Sequence, residues 1–365
     1  MPRHGRLKRI FENAQAGLDA VAIFNGDRPD PNFFYVSGYT SGLFENNALF
    51  LFPDGRVEVL TNPLEEQAAR QKEGYDVHVD STPGLSERRR LVSSILRGCR
   101  RVGLNFAGVS HRDFLSIGST LGSKGLADVS GALEETRLVK DPDEVAAISR
   151  AARLISGVVD EVPGLLRGGM TERDLKAKID YLIVEHGADS PSFDSIVAFG
   201  EHSALPHYSS GETRLRRGDN VLVDIGARYR LYCSDITRTF FFGRPATSQR
   251  EAYAKVLEAQ AKATAAIREG AKGDDVHGVA AKTIDRSRFK GRFIHGLGHS
   301  IGVEVHDGPG LSPRSMLTLK RDMVMTVEPG IYLPGEGGVR IEDDVVVTKD
   351  SCAILTTSPR ELTEV

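Results

Sequence analysis

Val221-Leu222-Val223-Asp224-Ile225-Gly226 is followed, after a short turn-compatible stretch, by Tyr232-Cys233-Ser234-Asp235-Ile236-Thr237. Both segments read as apolar strands, and each carries an aspartate where an unpaired charge would be costly. Antiparallel pairing of the two would bring the carboxylates onto one face, where they repel unless a cation lies between them. The pattern returns near the end of the chain. Glu328 interrupts Met325-Thr326-Val327-Glu328-Pro329-Gly330-Ile331-Tyr332, and Glu342 interrupts Val339-Arg340-Ile341-Glu342-Asp343-Asp344-Val345. Alternation puts Arg340, Glu342 and Asp344 on one strand face and Ile341 and Asp343 on the other.

His299 comes from His295-Gly296-Leu297-Gly298-His299-Ser300-Ile301-Gly302, whose glycines permit close backbone approach to a site. Any one of these acids could be a salt-bridged or edge-strand carboxylate, and His299 alone could be a packing or turn histidine. Together, four carboxylates and an imidazole make a hard, mostly oxygen ligand set suited to two divalent ions bridged by carboxylates and a water. Such a pair lowers the pKa of the water and steadies negative charge developing on a carbonyl oxygen, which is hydrolytic machinery.

Outward from these strands, the chain divides. Its 365 residues exceed the usual size of one compact domain. The first third alternates short strand candidates (Ala20 to Phe24, Asn32 to Val36, Ala48 to Phe52, Val57 to Leu60, Arg101 to Asn105) with helices at Leu64 to Lys72 and Ser86 to Leu96, and Pro53-Asp54-Gly55 reads as a hairpin turn. This predicts an α/β domain over 1–130, a linker over 131–140 and a second domain over 141–365. Asp141-Pro142-Asp143-Glu144 opens that second domain as a helix start, with a stop expected at Pro163-Gly164. A second helix is expected from Thr171 to Gly187. Helices alternating with hairpin-like strand pairs give an α+β domain with a curved antiparallel sheet rather than a doubly wound parallel fold.

Composition narrows the function. Lys and Arg number 47 against 50 Asp and Glu, a net charge of -3, so no global basic field argues for nucleic acid. No apolar run reaches the roughly 18 to 20 residues that span a bilayer, and basic Met1 to Ile10 lacks the apolar stretch of a signal peptide. Cys99, Cys233 and Cys352 are odd in number and far apart, which suits reduced thiols and a cytoplasmic protein.

The segments VLVDIGA, CSDITRTF, HGLGHSIG, VEPGIY and RIEDD, in this order and spacing, resemble the pita-bread metallopeptidases, in particular their Xaa-Pro dipeptidase (prolidase) and aminopeptidase P branch. The resemblance covers Asp141 to about Thr357; the first third is similar to the family's creatinase-type N-terminal domain in length and pattern. It implies two divalent ions per subunit, Mn or Co before Fe or Zn, on Asp224, Asp235, His299, Glu328 and Glu342. Asp235 and Glu342 would bridge both ions, and Glu328 would be the general base. His207, in Ser203-Ala204-Leu205-Pro206-His207, would meet substrate, and His306 would support the tetrahedral intermediate. Arg340 would hold a carboxylate ligand or a neighbouring acid, and His295 could support the ligands or simply pack. Two positions depart from the family pattern: Asp307 stands where Glu is frequent, and Gly310 where an Arg is frequent, leaving Arg314 as the nearest cation for a dipeptide's free carboxylate. The implied activity is hydrolysis of the bond before proline in Xaa-Pro dipeptides. An aminopeptidase P acting on longer peptides and a non-catalytic binding module of the same fold are the alternatives. The implied partners are a small peptide and a second copy of the chain in a homodimer, with Gly38 to Asn47 reaching the partner's site or forming a plain surface loop.

Overall fold

The computed structural model describes residues 2–26, 29–81 and 85–365, so the first residue of the basic Met1 to Ile10 stretch lies outside the described residues. It separates into two compact units, Met1–Arg137 and Leu138–Val365.

The first unit is built on a six-stranded sheet in the order Asp76–Val79, Val57–Thr61, Ala48–Leu51, Ala20–Phe24, Arg101–Leu104, Gly125–Asp128. The three middle strands before Arg101–Leu104 pair antiparallel and the outer pairs are parallel. Pro53-Asp54-Gly55 does form the hairpin turn, with Gly55 at φ 91°. The expected strand Asn32 to Val36 is instead the helix Pro31–Ser37. Its aromatic residues favour a strand, but Asp30 caps the first turn by accepting from the Asn32 amide, Pro31 presets the helical φ, and Gly38 closes the end at φ 62°. Tyr39 and Phe44 stack at 4.5 Å inside this unit, so the aromatics of Gly38 to Asn47 belong to its core. The stretch read as a linker is mostly the helix Ser130–Leu138, held by buried Ala132, Leu133 and Leu138.

The second unit has two cores. In one, the helices Pro142–Leu165 and Glu172–Glu185 cover the sheet Ile236–Phe241, Asn220–Ile225, Ile196–Phe199. In the other, Thr247–Ala266 and Gly273–Asp285 cover Val324–Val327 and Asp343–Val347. Buried Val, Ile and Leu fill both, each worth about 1.5–3 kcal/mol of transfer free energy. The first helix runs through Pro163 rather than stopping there, because a proline in the last turn forfeits a single helical bond while Leu166 beyond it stays buried.

The strands of this unit are shorter than their sequence runs. Tyr232–Cys233 ends before Ile236–Phe241 begins, Val324–Val327 before Gly330–Leu333, and Gly337–Arg340 before Asp343–Val347. Asp235, Glu328 and Glu342 sit in these three gaps. The curved antiparallel layer is therefore a set of short sheets, and the chain passes between strands where it delivers an acid. Among the described residues no helix is long and apolar enough to cross a membrane.

Candidate active site

Register explains how the first two acids meet. Asn220–Ile225 pairs antiparallel with Ile236–Phe241 so that Asp224 stands opposite Thr237. Asp235, two residues before Thr237, points to the same face. The opposite core delivers Glu342, whose amide donates to the Thr237 carbonyl at 3.1 Å and whose carboxylate accepts from the Thr237 hydroxyl at 2.6 Å. His299 is placed through its backbone: its amide donates to Thr326 Oγ1 at 3.0 Å, and the Thr326 amide donates back to the His299 carbonyl at 2.8 Å. Gly298 makes that approach possible, since a Cβ there would lie 2.0 Å from the Thr326 carbonyl oxygen.

These side chains line one cavity of about 370 Å³, together with His207, His295, His306, Glu328 and Arg340. Eight of the nine side chains assigned roles from the sequence are thus brought together. Arg314 is not: it is exposed, at φ 63°, and the chain has already left the wall at Leu311, which bridges to Gly298. Gly310 could not have carried a side chain either. A Cβ there would meet the Gly298 carbonyl oxygen at 2.4 Å and His299 Cα at 3.1 Å.

The electrostatics are those of a cation site. Asp235 and Glu342 are 5% and 2% exposed, and one oxygen of each, with Asp224 Oδ1, is buried without a hydrogen-bond partner. Asp235, His299 and Glu342 each offer a ligand atom within 4.8 Å of the others. The His299 Nε2 lies 3.6 Å from Asp235 and 3.8 Å from Glu328. Its Nδ1 faces the Ser300 carbonyl at 3.3 Å and would carry the proton, while burial and His306 pull the ring down to about 4. A neutral imidazole then presents a lone pair to carboxyl oxygens, so a proton or a divalent ion must lie between them. Burial above all, with neighbouring carboxylates, drives Asp235 and Glu328 well above the usual range, and burial with Asp224 pushes Glu342 up to about 8. The donor set thus fits divalent metal ions.

Arg340, 3% exposed, brings a guanidinium to the cavity, reaching Asp224 at 2.5 Å, Thr237 at 3.0 Å and the Tyr332 hydroxyl at 2.9 Å. That hydroxyl, pushed up to about 12 chiefly by burial, stays protonated and faces His295 Nε2 at 2.8 Å. The Tyr332 hydroxyl thus links His295 to Arg340, which in turn reaches Asp224. Three further residues were not legible as site residues. Thr237 joins Glu342 to Arg340, Asp344 accepts from the Asp235 amide at 3.0 Å, and Glu172 anchors the segment that carries His207. The signal for Thr237 was its place two residues after Asp235, and for Asp344 its alternation with Glu342.

An antiparallel-sheet domain with carboxylates and an imidazole converging at a cavity defines a metal-dependent hydrolase. The chain belongs to metallopeptidase family M24, whose sequence profile matches residues 146–349, and the Creatinase/Prolidase N-terminal domain matches residues 3–139. It is 34% identical over 359 residues to a Xaa-Pro dipeptidase of Pyrococcus horikoshii, covering 98% of each chain. Among solved structures, a Xaa-Pro dipeptidase from Bacillus anthracis aligns with a TM-score of 0.91 at 32% identity, covering 100% of this chain and 99% of the other. An X-Pro aminopeptidase from Thermotoga maritima aligns with a TM-score of 0.90 at 32% identity, covering 99% and 100%. The chain is accordingly a metal-dependent peptidase with a divalent-metal site.

Proposed function

We propose that the protein hydrolyses the peptide bond before proline in Xaa-Pro dipeptides, with two divalent ions held by Asp224, Asp235, His299, Glu328 and Glu342. The observation that carries this reading is the set of buried, partnerless carboxylate oxygens on Asp224, Asp235 and Glu342 lining one cavity. When bound, the ions supply Lewis acidity toward a carbonyl oxygen and acidify a water. Asp235 and Glu342, the most buried of the five, would contribute to holding both ions, and Mn or Co would suit this oxygen-rich set.

Glu328 is the general base. Its carboxylate lines the cavity where a scissile carbonyl would lie. His306, with its ring 4.2 Å from that of His299, donates to the developing oxyanion in this reading, and His207, also on the cavity wall, meets the substrate. Arg340 neutralises Asp224 and fixes its orientation. The working form we propose is a cytoplasmic homodimer.

A second reading, removal of the first residue from longer Xaa-Pro peptides, is favoured by one observation: Arg314, the cation expected to hold a dipeptide's carboxylate, is absent from the cavity wall. Purified protein assayed on Ala-Pro, Leu-Pro and a Xaa-Pro tripeptide, each with Mn, Co, Fe and Zn, separates the two. Faster dipeptide cleavage supports the first reading and faster tripeptide cleavage the second. No cleavage of any with full metal loading would overturn both.

A further inference from the structure

Glu172 is the first residue of the helix Glu172–Glu185 and none of it is exposed. A carboxylate buried this completely needs donors on both oxygens, and here all four that reach it come from one segment of the chain, 199–211. Oε1 accepts from the Phe199 amide at 2.9 Å and faces His202 Nδ1 at 3.0 Å. Oε2 accepts from the Tyr208 hydroxyl at 2.8 Å and the Gly211 amide at 2.9 Å. The His202 and Tyr208 rings lie against each other at 4.6 Å, closing the base of the loop.

The tip between these anchors holds Pro206 and His207, both on the cavity wall. His207 is itself exposed, so the placement of its imidazole comes from the loop frame rather than from packing around the ring. One side of that frame is also tied to the sheet, where the Ser203 hydroxyl accepts from the Asn220 side chain at 2.8 Å and the Gly338 amide at 2.7 Å. The far side, immediately after His207, is held by Glu172 through Tyr208 and Gly211, and also by the Val197 amide, which donates to Ser210 Oγ at 2.8 Å, and the Arg173 amide, which donates to the Gly211 carbonyl at 3.0 Å.

From this geometry we infer that Glu172 is a positioning residue for His207: a single buried carboxylate clamps both ends of the 199–211 loop and so sets where the imidazole meets the substrate. The inference rests on the reading of His207 as a substrate contact. Glu172 does not line the cavity, and among the described residues its carboxylate is bonded to the 199–211 segment, so its effect on the reaction would pass through His207.

A double-mutant cycle tests this. The parent, Glu172→Gln, His207→Ala and the double variant are loaded with Mn and assayed for kcat and KM on whichever Xaa-Pro peptide the parent cleaves, with bound metal and Tm measured on each. Glutamine keeps the shape but turns an N–H group toward donors, so kcat/KM is expected to fall roughly tenfold, within the range found for coupled neighbours. In the His207→Ala background the same change is expected to cost less than about twofold. Tyr208→Phe, which removes one donor without touching the charge, gives a second arm should Glu172→Gln fail to fold: a drop of a few fold that likewise vanishes without His207. Equal losses in both backgrounds, or a loss of bound metal in Glu172→Gln, would overturn the inference by making Glu172 a general structural residue or part of the metal centre. A parent that cleaves other peptides but none containing Xaa-Pro sinks the proposed substrate, not the clamp, because the cycle can then be run on the peptide it does cleave.

Discussion

Asp235 and Glu342 each hold a carboxylate oxygen out of water with no donor to meet it, and a buried acceptor in that state costs about 1–3 kcal/mol or more. An ion removes the cost, whereas an amide replaces one oxygen by a donor and cannot balance a divalent charge. Asp235→Asn and Glu342→Gln are therefore expected to keep the fold and lose both metal and activity, checked by metal content per chain, circular dichroism and turnover. Near-parent turnover with full metal would remove them from the centre. Arg314 carries the opposite expectation. As an exposed cation off the cavity wall it contributes as surface charges do, and Arg314→Ala should leave KM for Xaa-Pro within about twofold. A tenfold rise would put the side chain back at the substrate.

The elements show which parts of the site the sequence could reveal. Acids inside apolar runs are conspicuous because burial of charge is costly, so four of the five ligand candidates stand out in the sequence, while His299 stands out through its glycine-rich segment. The breaks at Asp235, Glu328 and Glu342 were not: apolar composition looks the same whether a run stays in one sheet or passes to another. Asn32 to Val36 carries β-favouring side chains, yet the Asp30-Pro31 start makes it helical. Glu172 looked like part of a helix start, as its donors lie 27 to 39 residues away in the chain. The departure at Gly310 now has a physical reason, the close approach of its backbone to Gly298 and His299. Gly310→Ala is expected to destabilise the protein by about 1–3 kcal/mol, the usual cost of overpacking, and to weaken metal binding by displacing His299. An unchanged Tm together with unchanged metal affinity would show that the two segments can part without consequence.

Across the whole molecule, stability is tied to pH through the same carboxylates. Without metal, burial and Asp224 raise Glu342 from an ordinary 4.5 to about 8, and Asp235, Glu328 and Asp344 move in the same direction. Between pH 4.5 and 8 the folded metal-free protein thus holds protons that the unfolded chain has released. Because stability falls with rising pH wherever the folded state binds more protons, these carboxyls should weaken the metal-free protein as pH rises, most plainly between 6.5 and 8, above the range in which the lowered His295 and His299 act in the opposite sense. Divalent ions take the place of those protons, and binding them releases whatever protons remain. The gain in Tm from saturating Mn over a chelated sample should therefore be larger at pH 8 than at pH 5. Paired melting curves at the two pH values, with and without chelator, measure it directly. A gain that is equal at both, or larger at pH 5, would mean that the cluster is ionised and otherwise compensated in the metal-free fold, and that protons and metal do not compete for these oxygens.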